Sequence, residues 1–538
     1  MSSFFLRLIW FLTRFLLGIL FYATPVLGFW LASSMEAYLG GPPWMAWTAG
    51  ALLFPIIPLF WELHSWAYRK PERKAWLTPI DRISLKTFAV GLAFLSGLLY
   101  FYPQIAFVAL STRGDWMLDQ SKDARADKVR RVLFATAGGL QWLYTATKRN
   151  PYKSQIDIAE VERTEQATKQ LDEESATQHK QEIAQNDDAS QQESAQSNQT
   201  GTESSTENSD SETTQNDTGQ TDNQNNQEAA TKKEQNEAPA PKPSNRWPWK
   251  HATLHPAVAN MPASAETSIK SVAQYIAKRE KDPTQRIKAL HDYVADRIAY
   301  DSVSFYSGAY PSQSAKTVFK TRKGVCAGYA NLLSALASAM GENIVVVVGD
   351  SRDSAAGNKL ADGGGHAWNA ARINGKWHLI DVTWDAGSVS REKGFTKEYK
   401  TEYLLTPPEV MIQSHFPERE TWQLLDQPLS VGEFLRQPML DPSFLAANLT
   451  LIRPTRAVNE TDSNAVVIVK NPDKQWLMVG LEQNGKRIGN GSDATTEKYA
   501  KLERKLPGKG RYRLNIFLNK ESEFGDYDYV GAVDFVNR

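Results

Sequence analysis

Long apolar runs alternate with charged loops in the first 110 residues of the chain. Three runs are long enough, or nearly so, to cross a hydrocarbon core of about 30 Å as helices. They extend from Phe11 to Leu31, from Trp44 to Trp61 and from Thr87 to Leu110. A cleaved signal peptide followed by buried helices is the alternative, but the first run lacks a clear small-residue cleavage site and two more spans follow it. The pattern predicts a multi-pass membrane anchor, residues 1–150, with three transmembrane helices.

Lysine and arginine residues are distributed unevenly between the loops of this anchor. The first loop, Ala32 to Pro43, has none, whereas the second loop carries Arg69, Lys70, Arg73, Lys74, Arg82 and Lys86. The positive-inside rule places the N-terminus and the second loop in the cytoplasm. Everything after Leu110 is then predicted to be periplasmic or extracellular. A shorter apolar run, Val132 to Tyr144, could lie along the outer membrane surface or pack on the helix bundle.

Residues 151–245 consist almost entirely of small and polar amino acids. Such a segment has too few large apolar residues to bury a core, so we predict a disordered, low-complexity linker. It would let an outer domain explore space above the membrane, although an unselected polar spacer would have the same composition.

Two further domains are predicted beyond the linker. Residues 246–447 contain amphipathic helices and strands, and they include the segment with candidate chemistry. Residues 448–538 change to short alternating strands, in which Tyr512, Leu514, Ile516 and Leu518 share one face and Asn484-Gly485 marks a hairpin turn. This pattern predicts a small β-sandwich, for which substrate or partner docking is the reasonable role.

The chain's single cysteine opens an amphipathic helix. After Cys326, residues Tyr329, Leu332, Leu333, Leu336, Ala337 and Met340 recur at helical spacing. Gly341 is suited to the C-terminal cap. The thiol would therefore lie at a helix N-terminus, where free N–H groups and the helix dipole favour a thiolate.

A hairpin follows this helix and its strand. Asn374-Gly375 lies between two extended runs and is typical of a two-residue turn. With that turn, Ile373 faces Lys376, Trp368 faces Asp381, and His366 faces Thr383. Asp381 is then a diagonal neighbour of His366 on the same face of the ladder. A slip of one residue would separate them.

Each of these residues has an ordinary structural interpretation when taken alone. A lone cysteine is usually a small buried hydrophobe, a histidine in a strand is usually structural, and an aspartate near a strand end usually caps or turns. Together, Cys326, His366 and Asp381 have the residue types and placement of a nucleophile, its base and an orienting carboxylate.

Three motifs also resemble a known family. GVCAGYA at Cys326, HAWN at His366 and DVTWD at Asp381 resemble the transglutaminase-like superfamily, whose core is the papain-like α+β fold, and most closely its kyphoscoliosis-peptidase-like branch. The likeness spans about residues 265–538. It implies Cys326 as nucleophile, His366 as general base and acid, and Asp381 as orienting carboxylate, and it implies an immunoglobulin-like fold for the C-terminal sandwich.

The resemblance fails at the oxyanion hole. Papain-like proteases have a glutamine a few residues before the cysteine, where this chain has Phe319, Lys320 and Thr321. The Cys326 backbone N–H can supply one donor, and the candidates for a second are Gln313, Tyr306 and Tyr310. The glycine-rich stretch from Gly349 to Gly365 precedes His366 and could be a mobile rim of the site or a long connection.

Composition restricts the other possibilities. The 61 basic and 61 acidic residues balance, with no basic cluster beside aromatic repeats, which argues against nucleic-acid binding. One cysteine excludes an intramolecular disulfide and a cysteine-based zinc site. The eight histidines lack ligand spacing, so we predict no metal and no cofactor. Packing or hydrogen bonding is expected for His291, His378 and His415.

The sequence thus predicts a membrane-anchored, exterior-facing cysteine enzyme that hydrolyses peptide or amide bonds, or transfers their acyl groups. Its partner would be a protein or peptide substrate, with cell-envelope components among the candidates. The alternative is a non-catalytic adaptor, because transglutaminase-like domains can also serve as binding scaffolds.

Overall fold

The protein is described by a computed structural model that covers residues 2–68, 77–119, 123–197, 247–353 and 365–537. It divides into two compact units. The first comprises residues 1–161 together with 247–538, and the second comprises residues 162–246.

The N-terminal region contains three helices long and apolar enough to cross a membrane, as predicted. These spans are Gly18–Leu39, Pro43–Ala67 and Pro79–Phe101. The first belongs to α1 (Ser2–Leu39), and the second contains α2 (Pro43–Ala51), a π-helical turn and α3 (Ile57–Ala67). The third is α4 (Pro79–Phe101), which a Thr78–Asp81 capping box starts. It therefore ends about nine residues before the predicted Leu110.

The chain turns at Pro103 and starts a separate helix because proline fixes a new helix start there. This helix, α5 (Pro103–Arg113), is followed by α6 (Ala124–Gly138) and α7 (Gln141–Thr147). Ala137 joins a buried cluster with Trp30, Leu31 and Leu110, and Leu133 and Leu140 pack against it. Part of the short apolar run therefore packs on the bundle, whereas Val132 and Trp142 are exposed, and contact of the run with the membrane surface stays a prediction.

The predicted disordered linker is corrected for residues 151–197. Tyr152 and Ile156 are buried in the core of the next domain, and Ile158–Ser197 forms helix α8. Its glutamate, glutamine, lysine and alanine residues are good helix formers, and pairs four residues apart support it, such as Gln170 with Glu174 at 3.2 Å. The remainder of the predicted linker, residues 198–245, lies outside the described residues.

The α+β domain packs helices against an antiparallel sheet. Its helices are α9 (Pro256–Ala259), α10 (Ile269–Arg279), α11 (Pro283–Arg297), α12 (Ser302–Ser307), α13 (Ala315–Thr321), α14 (Cys326–Met340), α15 (Pro408–Met411) and α16 (Val431–Arg436). Its strands are β1 (Ala299–Tyr300), β2 (Lys323–Gly324), β3 (Asn343–Ser351), β4 (His366–Ile373), β5 (Lys376–Ile380), β6 (Gly387–Ser390), β7 (Gly394–Lys397), β8 (Leu404–Thr406) and β9 (His415–Pro417).

Five of these strands form the central sheet in the order β8-β5-β4-β3-β9. All neighbouring pairs are antiparallel. Helix α14 packs across β3 and β4. Its buried face shares one hydrophobic core with both strands. The packing therefore places the start of α14 near the start of β4.

The C-terminal domain is strand-rich and begins earlier than residue 448. Its first elements are β10 (Met439–Leu440), which pairs with β18, and α17 (Pro442–Ala446), whose Phe444 is buried in this domain's core. The other strands are β11 (Thr450–Arg453), β12 (Val458–Thr461), β13 (Asn464–Lys470), β14 (Trp476–Gln483), β15 (Lys486–Ile488), β16 (Tyr499–Lys505), β17 (Gly510–Asn519) and β18 (Asp528–Asn537).

Two sheets enclose the core of this domain. One has the order β10-β18-β17-β14-β15, with β12 beside β18, and the other has the order β11-β13-β16. The alternation predicted in β17 is confirmed, because Tyr512, Leu514, Ile516 and Leu518 are all buried. The hairpin at Asn484-Gly485 also forms, with Gln483 opposite Lys486. The immunoglobulin-like identity of the domain stays a prediction.

Candidate active site

Cys326 is the first residue of helix α14, as predicted. The preceding Val325 is extended, and Gly341 ends the helix with a φ of 88°, the left-handed conformation that glycine favours. The Cys326 backbone N–H is one of the groups that a helix N-terminus leaves without an intrahelical acceptor. The thiol is 1% exposed. The nucleophile candidate thus lies at the edge of the core, among helix N–H groups.

The hairpin that carries the other two candidates has the predicted turn. Asn374 and Gly375 have positive φ values of 50° and 81°, which suits a type I′ turn. Ile373 pairs with Lys376, and the register continues to the pair Asn369 and Ile380.

Beyond Ile380 the ladder differs from the prediction. The predicted pairs of Trp368 with Asp381 and of His366 with Thr383 do not form. Instead, the backbone N–H groups of Thr383 and Trp384 donate to Oδ1 of Asp381, at 2.8 and 3.3 Å. An aspartate that binds the backbone two residues on makes a turn of its own, and this turn bends the chain out of the sheet.

Asp381 nevertheless reaches His366, whose Nε2 donates to Oδ2 of Asp381 at 2.6 Å. Nε2 is engaged by Asp381, so Nδ1 is the ring nitrogen that remains for an interaction with Cys326, whose side chain lies close enough to influence the ring. Burial would lower the pKa of His366, but the charge and hydrogen bond of Asp381, with the nearby Cys326, raise it to about 10. The three candidates are therefore connected, with a ring that favours the charged form.

Burial would raise the pKa of the Asp381 carboxyl, but His366 and His415 hold it well below its usual range. This second histidine was expected only to pack or hydrogen-bond. Nε2 of His415 donates to the same oxygen of Asp381 at 2.9 Å, and its Nδ1 is 2.8 Å from Oγ of Ser414. Burial lowers the pKa of His415 to about 4, so this ring is neutral near pH 7.

His415 lies 34 residues after Asp381 in sequence, so hairpin counting could not find this contact. The family resemblance spans about residues 265–538 and so includes His415, but it assigned that residue no role in the site. The structure adds a fourth member to the site.

His366, Asp381 and His415 are also a set of side chains that could hold a metal ion. One ligand atom from each lies within 4.8 Å of the others. These same atoms, however, are joined by the two hydrogen bonds to Oδ2 of Asp381. A metal would need both imidazole nitrogens deprotonated and both bonds broken, so hydrogen bonding accounts for the grouping.

A second buried histidine and aspartate pair lies under the same loop. Nε2 of His291 is 3.0 Å from Oδ2 of Asp385, and its Nδ1 is 3.1 Å from Oδ1 of Asp292. Burial would lower the pKa of His291, but the hydrogen bonds to Asp292 and Asp385 raise it to about 9. Asp385 also accepts from the backbone N–H of Tyr403, at 3.1 Å from each oxygen. This pair connects helix α11 to the loop that follows β5 and carries Asp385. Among the described residues, no cysteine lies beside it.

Two of the three proposed second oxyanion donors, Gln313 and Tyr310, donate hydrogen bonds elsewhere. Nε2 of Gln313 donates to the Pro311 carbonyl and its Oε1 accepts from the Val325 N–H, both at 2.9 Å. The Tyr306 ring lies 4.6 Å from the guanidinium of Arg391. The Tyr310 hydroxyl donates to Tyr152 at 3.5 Å. Gln313 therefore supports the start of the cysteine helix.

The predicted glycine-rich rim is described only at its ends. Gly349 to Ser351 belong to strand β3, whereas residues 354–364 lie outside the described part of the chain. His378 lies in β5, where burial lowers its pKa.

Comparisons with known proteins agree with the motifs. Residues 270–382 match the model of the Transglutaminase-like superfamily. The mouse kyphoscoliosis peptidase is 26% identical over 301 residues, which cover 53% of this chain and 45% of the relative. Hillarin of Drosophila melanogaster is 30% identical over 135 residues, covering 22% of this chain and 16% of the relative. The chain spans about half the length of the kyphoscoliosis peptidases.

Two solved structures are also similar. A candidate cysteine protease from Cytophaga hutchinsonii shares 20% sequence identity and covers 27% of this chain and 48% of its own chain, with a TM-score of 0.19. A TGase shares 21% sequence identity and covers 26% of this chain and 36% of its own chain, also with a TM-score of 0.19. On the strength of the family model and the kyphoscoliosis peptidases, the chain carries a domain of the transglutaminase-like superfamily.

Proposed function

We propose that this protein is a membrane-anchored, exterior-facing cysteine enzyme that acts on peptide or amide bonds through Cys326, His366 and Asp381. The proposal rests above all on the 2.6 Å hydrogen bond from His366 to Asp381. Cys326, the first residue of a helix, lies near enough to the same ring to raise its pKa. Covalent acyl transfer requires a nucleophile beside a base that is itself oriented by a carboxylate.

In the proposed reaction, the Cys326 thiolate attacks the substrate carbonyl carbon. The imidazolium of His366 then protonates the leaving amine, which departs as the thioester forms. Water or a second amine gives a proton to His366 as it attacks the thioester, and the Cys326 thiolate is released beside the restored imidazolium. Asp381 holds the imidazole orientation and stabilises its charge, and the Cys326 backbone N–H donates to the oxyanion.

Hydrolysis and transfer to an amine share every step up to the thioester. The acceptor admitted to the site decides between them. Hydrolysis is the first choice, because the kyphoscoliosis relatives are named peptidases. The substrate would be a protein or peptide, with cell-envelope components among the candidates, and the strand-rich domain would help to dock it.

The exterior location is supported by two observations. Arg82 and Lys86 lie near the start of α4 and pair with Glu62 of α3, so cationic residues gather where the second and third spans are joined, and lysine and arginine favour the cytoplasmic side. The residues after the third span contact the opposite, C-terminal end of α1. Nε1 of Trp30 donates to the Gly114 carbonyl at 2.7 Å, and Nε1 of Trp116 donates to Oγ of Ser33 at 3.2 Å.

Alkylation by iodoacetamide tests the proposed chemistry. The chain has one cysteine, so modification of the full chain in detergent reports on Cys326 alone. An enzyme should react at pH 6 much faster than a free thiol, because His366 stabilises the thiolate, and His366→Ala should abolish that advantage.

Peptide profiling completes the test, with Cys326→Ala as the control. A thiol that reacts like free cysteine, with no cleaved or cross-linked peptide, would refute the enzyme and favour a binding scaffold.

A further inference from the structure

The segment between the membrane anchor and helix α8 lies against both parts of the candidate active site. It comprises residues 148–157, and we call it the juxtamembrane segment. It includes the short 3-10 turn Lys153–Gln155. Sequence composition assigned most of it to the linker, yet Tyr152 is 2% exposed and belongs to the same buried cluster as Cys326.

One end of the juxtamembrane segment is bonded to the strand of the proposed base. Nδ2 of Asn150 donates to the carbonyl of Gly349 at 2.9 Å and to the carbonyl of His366 at 3.2 Å. Gly349 and His366 are partners across strands β3 and β4, at the open end of that pair. Oδ1 of Asn150 accepts from the Tyr152 N–H at 2.9 Å, so the amide is held from both sides.

Close packing accompanies these hydrogen bonds. A β-carbon on Gly365 would come within 2.6 Å of Oδ1 of Asn150 and within 2.6 Å of Pro151. The residue directly before His366 therefore has room only for glycine, because atoms of the juxtamembrane segment fill that space.

The other end of the segment is bonded to the helix of the proposed nucleophile. Asn331 lies five residues after Cys326 in α14. Its Nδ2 donates to the Gln155 carbonyl at 2.9 Å, and its Oδ1 accepts from the Asp157 N–H at 3.3 Å. Asp157 in turn accepts from the Ala315 N–H at 3.1 Å. The segment thus connects the two elements that carry the thiol and the imidazole.

Tyr152 lies between these two ends. Its ring centroid is 5.4 Å from that of Tyr310. Burial raises the pKa of Tyr152, and its ring belongs to the same buried cluster as Cys326. The juxtamembrane segment therefore contributes a phenol to the cluster that contains the proposed nucleophile.

We propose that Asn150 of the juxtamembrane segment is a positioning residue that sets the place of His366 relative to Cys326. This inference rests on the function proposed above. The nucleophile and the base come from different elements, and the segment is bonded to both. Small changes in such geometry have large effects on reaction rates. The start of the segment and the helix before it are also held to strand β3, because the Tyr144 hydroxyl donates to Asp350 at 3.2 Å and Lys148 pairs with the same carboxylate.

The decisive variant is Asn150→Asp in the full chain. It keeps the side-chain shape but removes both N–H donors to the Gly349 and His366 carbonyls. The matched control is Lys153→Ala in the same segment, since the Lys153 side chain is 67% exposed and pairs at the surface with Glu418. Wild type, both variants and His366→Ala are alkylated with iodoacetamide from pH 5 to pH 10, and their thermal unfolding is recorded.

Asn150→Asp should move the midpoint of the normalised alkylation profile up by about one pH unit, which lowers the relative rate by up to about tenfold at pH values below the wild-type midpoint. Lys153→Ala should follow the wild type. A wild-type midpoint in Asn150→Asp, with or without a lower unfolding temperature, would show a purely structural role. Faster alkylation at every pH with an unchanged midpoint would show that the segment merely covers the thiol, and would also overturn the proposal.

His366→Ala separates this inference from the proposed function. A shifted profile in His366→Ala beside an unshifted one in Asn150→Asp refutes the positioning role alone. An alkylation profile of His366→Ala that matches the wild type would show that His366 does not influence the Cys326 thiol. That result would refute both the positioning role of Asn150 and the proposed function.

Discussion

The two aspartates of the DVTWD motif provide a matched test of the proposed triad. Asp381 and Asp385 are four residues apart, and both are fully buried. Each accepts a hydrogen bond from a buried histidine, Asp381 from His366 and Asp385 from His291. Replacing either aspartate with asparagine removes one negative charge and preserves the shape of the side chain. Only Asp381→Asn should impair the chemistry, because Cys326 influences the ring of His366 and not that of His291.

The size of the effect follows from the charge on His366. Its pKa rises from an ordinary 6.5 to about 10, which corresponds to a preference of about 5 kcal/mol for the charged ring. Burial opposes this preference, and Asp381 is the largest influence that favours it. If Asp381→Asn removes most of it, turnover should fall by about 10³- to 10⁴-fold. The corresponding replacement in serine triads has an effect of about 10⁴.

Asp385→Asn should mainly affect stability. It weakens a charge-assisted hydrogen bond in the core, for which we expect a loss of about 1.5–3 kcal/mol in the free energy of unfolding. Turnover should stay within about tenfold of the wild type, a change of about 1.4 kcal/mol in activation free energy, because Asp385 binds His291 and not His366.

Turnover would be measured on a peptide identified by profiling, and stability by thermal unfolding of the full chain in detergent. Near-normal turnover in Asp381→Asn, beside an inactive but folded Asp385→Asn, would show that the third member of the triad has been assigned wrongly.

Four further predictions follow from the structure. Protease added outside intact cells or spheroplasts should cut between residues 198 and 246, and protection of that segment until the membrane is breached would refute the orientation. One residue inserted between Asn374 and Gly375 should damage activity as much as Asp381→Asn, because a slipped register turns one strand's side chains to the opposite face; normal turnover in the insertion variant would contradict the hairpin argument. His415→Ala removes one hydrogen bond to the buried Asp381 carboxylate and should lower the free energy of unfolding by about 1.5–3 kcal/mol, with a smaller loss of turnover than Asp381→Asn; an equal loss would make His415 as important to the chemistry as Asp381. The pKa of His291 is raised to about 9, so its contribution to stability is complete below about pH 6.5 and is lost as the pH rises through about 9. The difference in unfolding temperature between wild type and His291→Gln should therefore shrink over that pH range. A constant difference would show that the charge of His291 does not stabilise the fold.

Local sequence patterns predicted the parts of the site that depend on local structure. Helical spacing placed Cys326 at a helix start, and Asn374-Gly375 fixed the register that brings Asp381 toward His366. Both signals act over a few residues, where side-chain periodicity and turn chemistry dominate. The departure after Ile380 was missed, because an aspartate can bind its own backbone and end a ladder.

Contacts over long sequence distances could not be predicted in this way. Asn150 is bonded to a carbonyl 216 residues away, at His366, and Asn331 to one 176 residues away, at Gln155. Between Lys148 and Asp157, only Tyr152 and Ile156 are large and apolar. So sparse a pattern favours the interpretation of a linker, although its polar side chains find partners once the domain has folded.

These contacts change which part of the chain should be studied. A fragment that starts at residue 246, the predicted domain boundary, would lack Tyr152 and Ile156 from its core and Asn150 from the strand that carries His366. The loss of two buried side chains of this size costs several kcal/mol, a large share of the stability of an ordinary domain. Low activity in that fragment would therefore say little about the triad. Because the segment also continues into the anchor through Tyr144 and Lys148, the full chain is the unit in which the proposed chemistry can be judged.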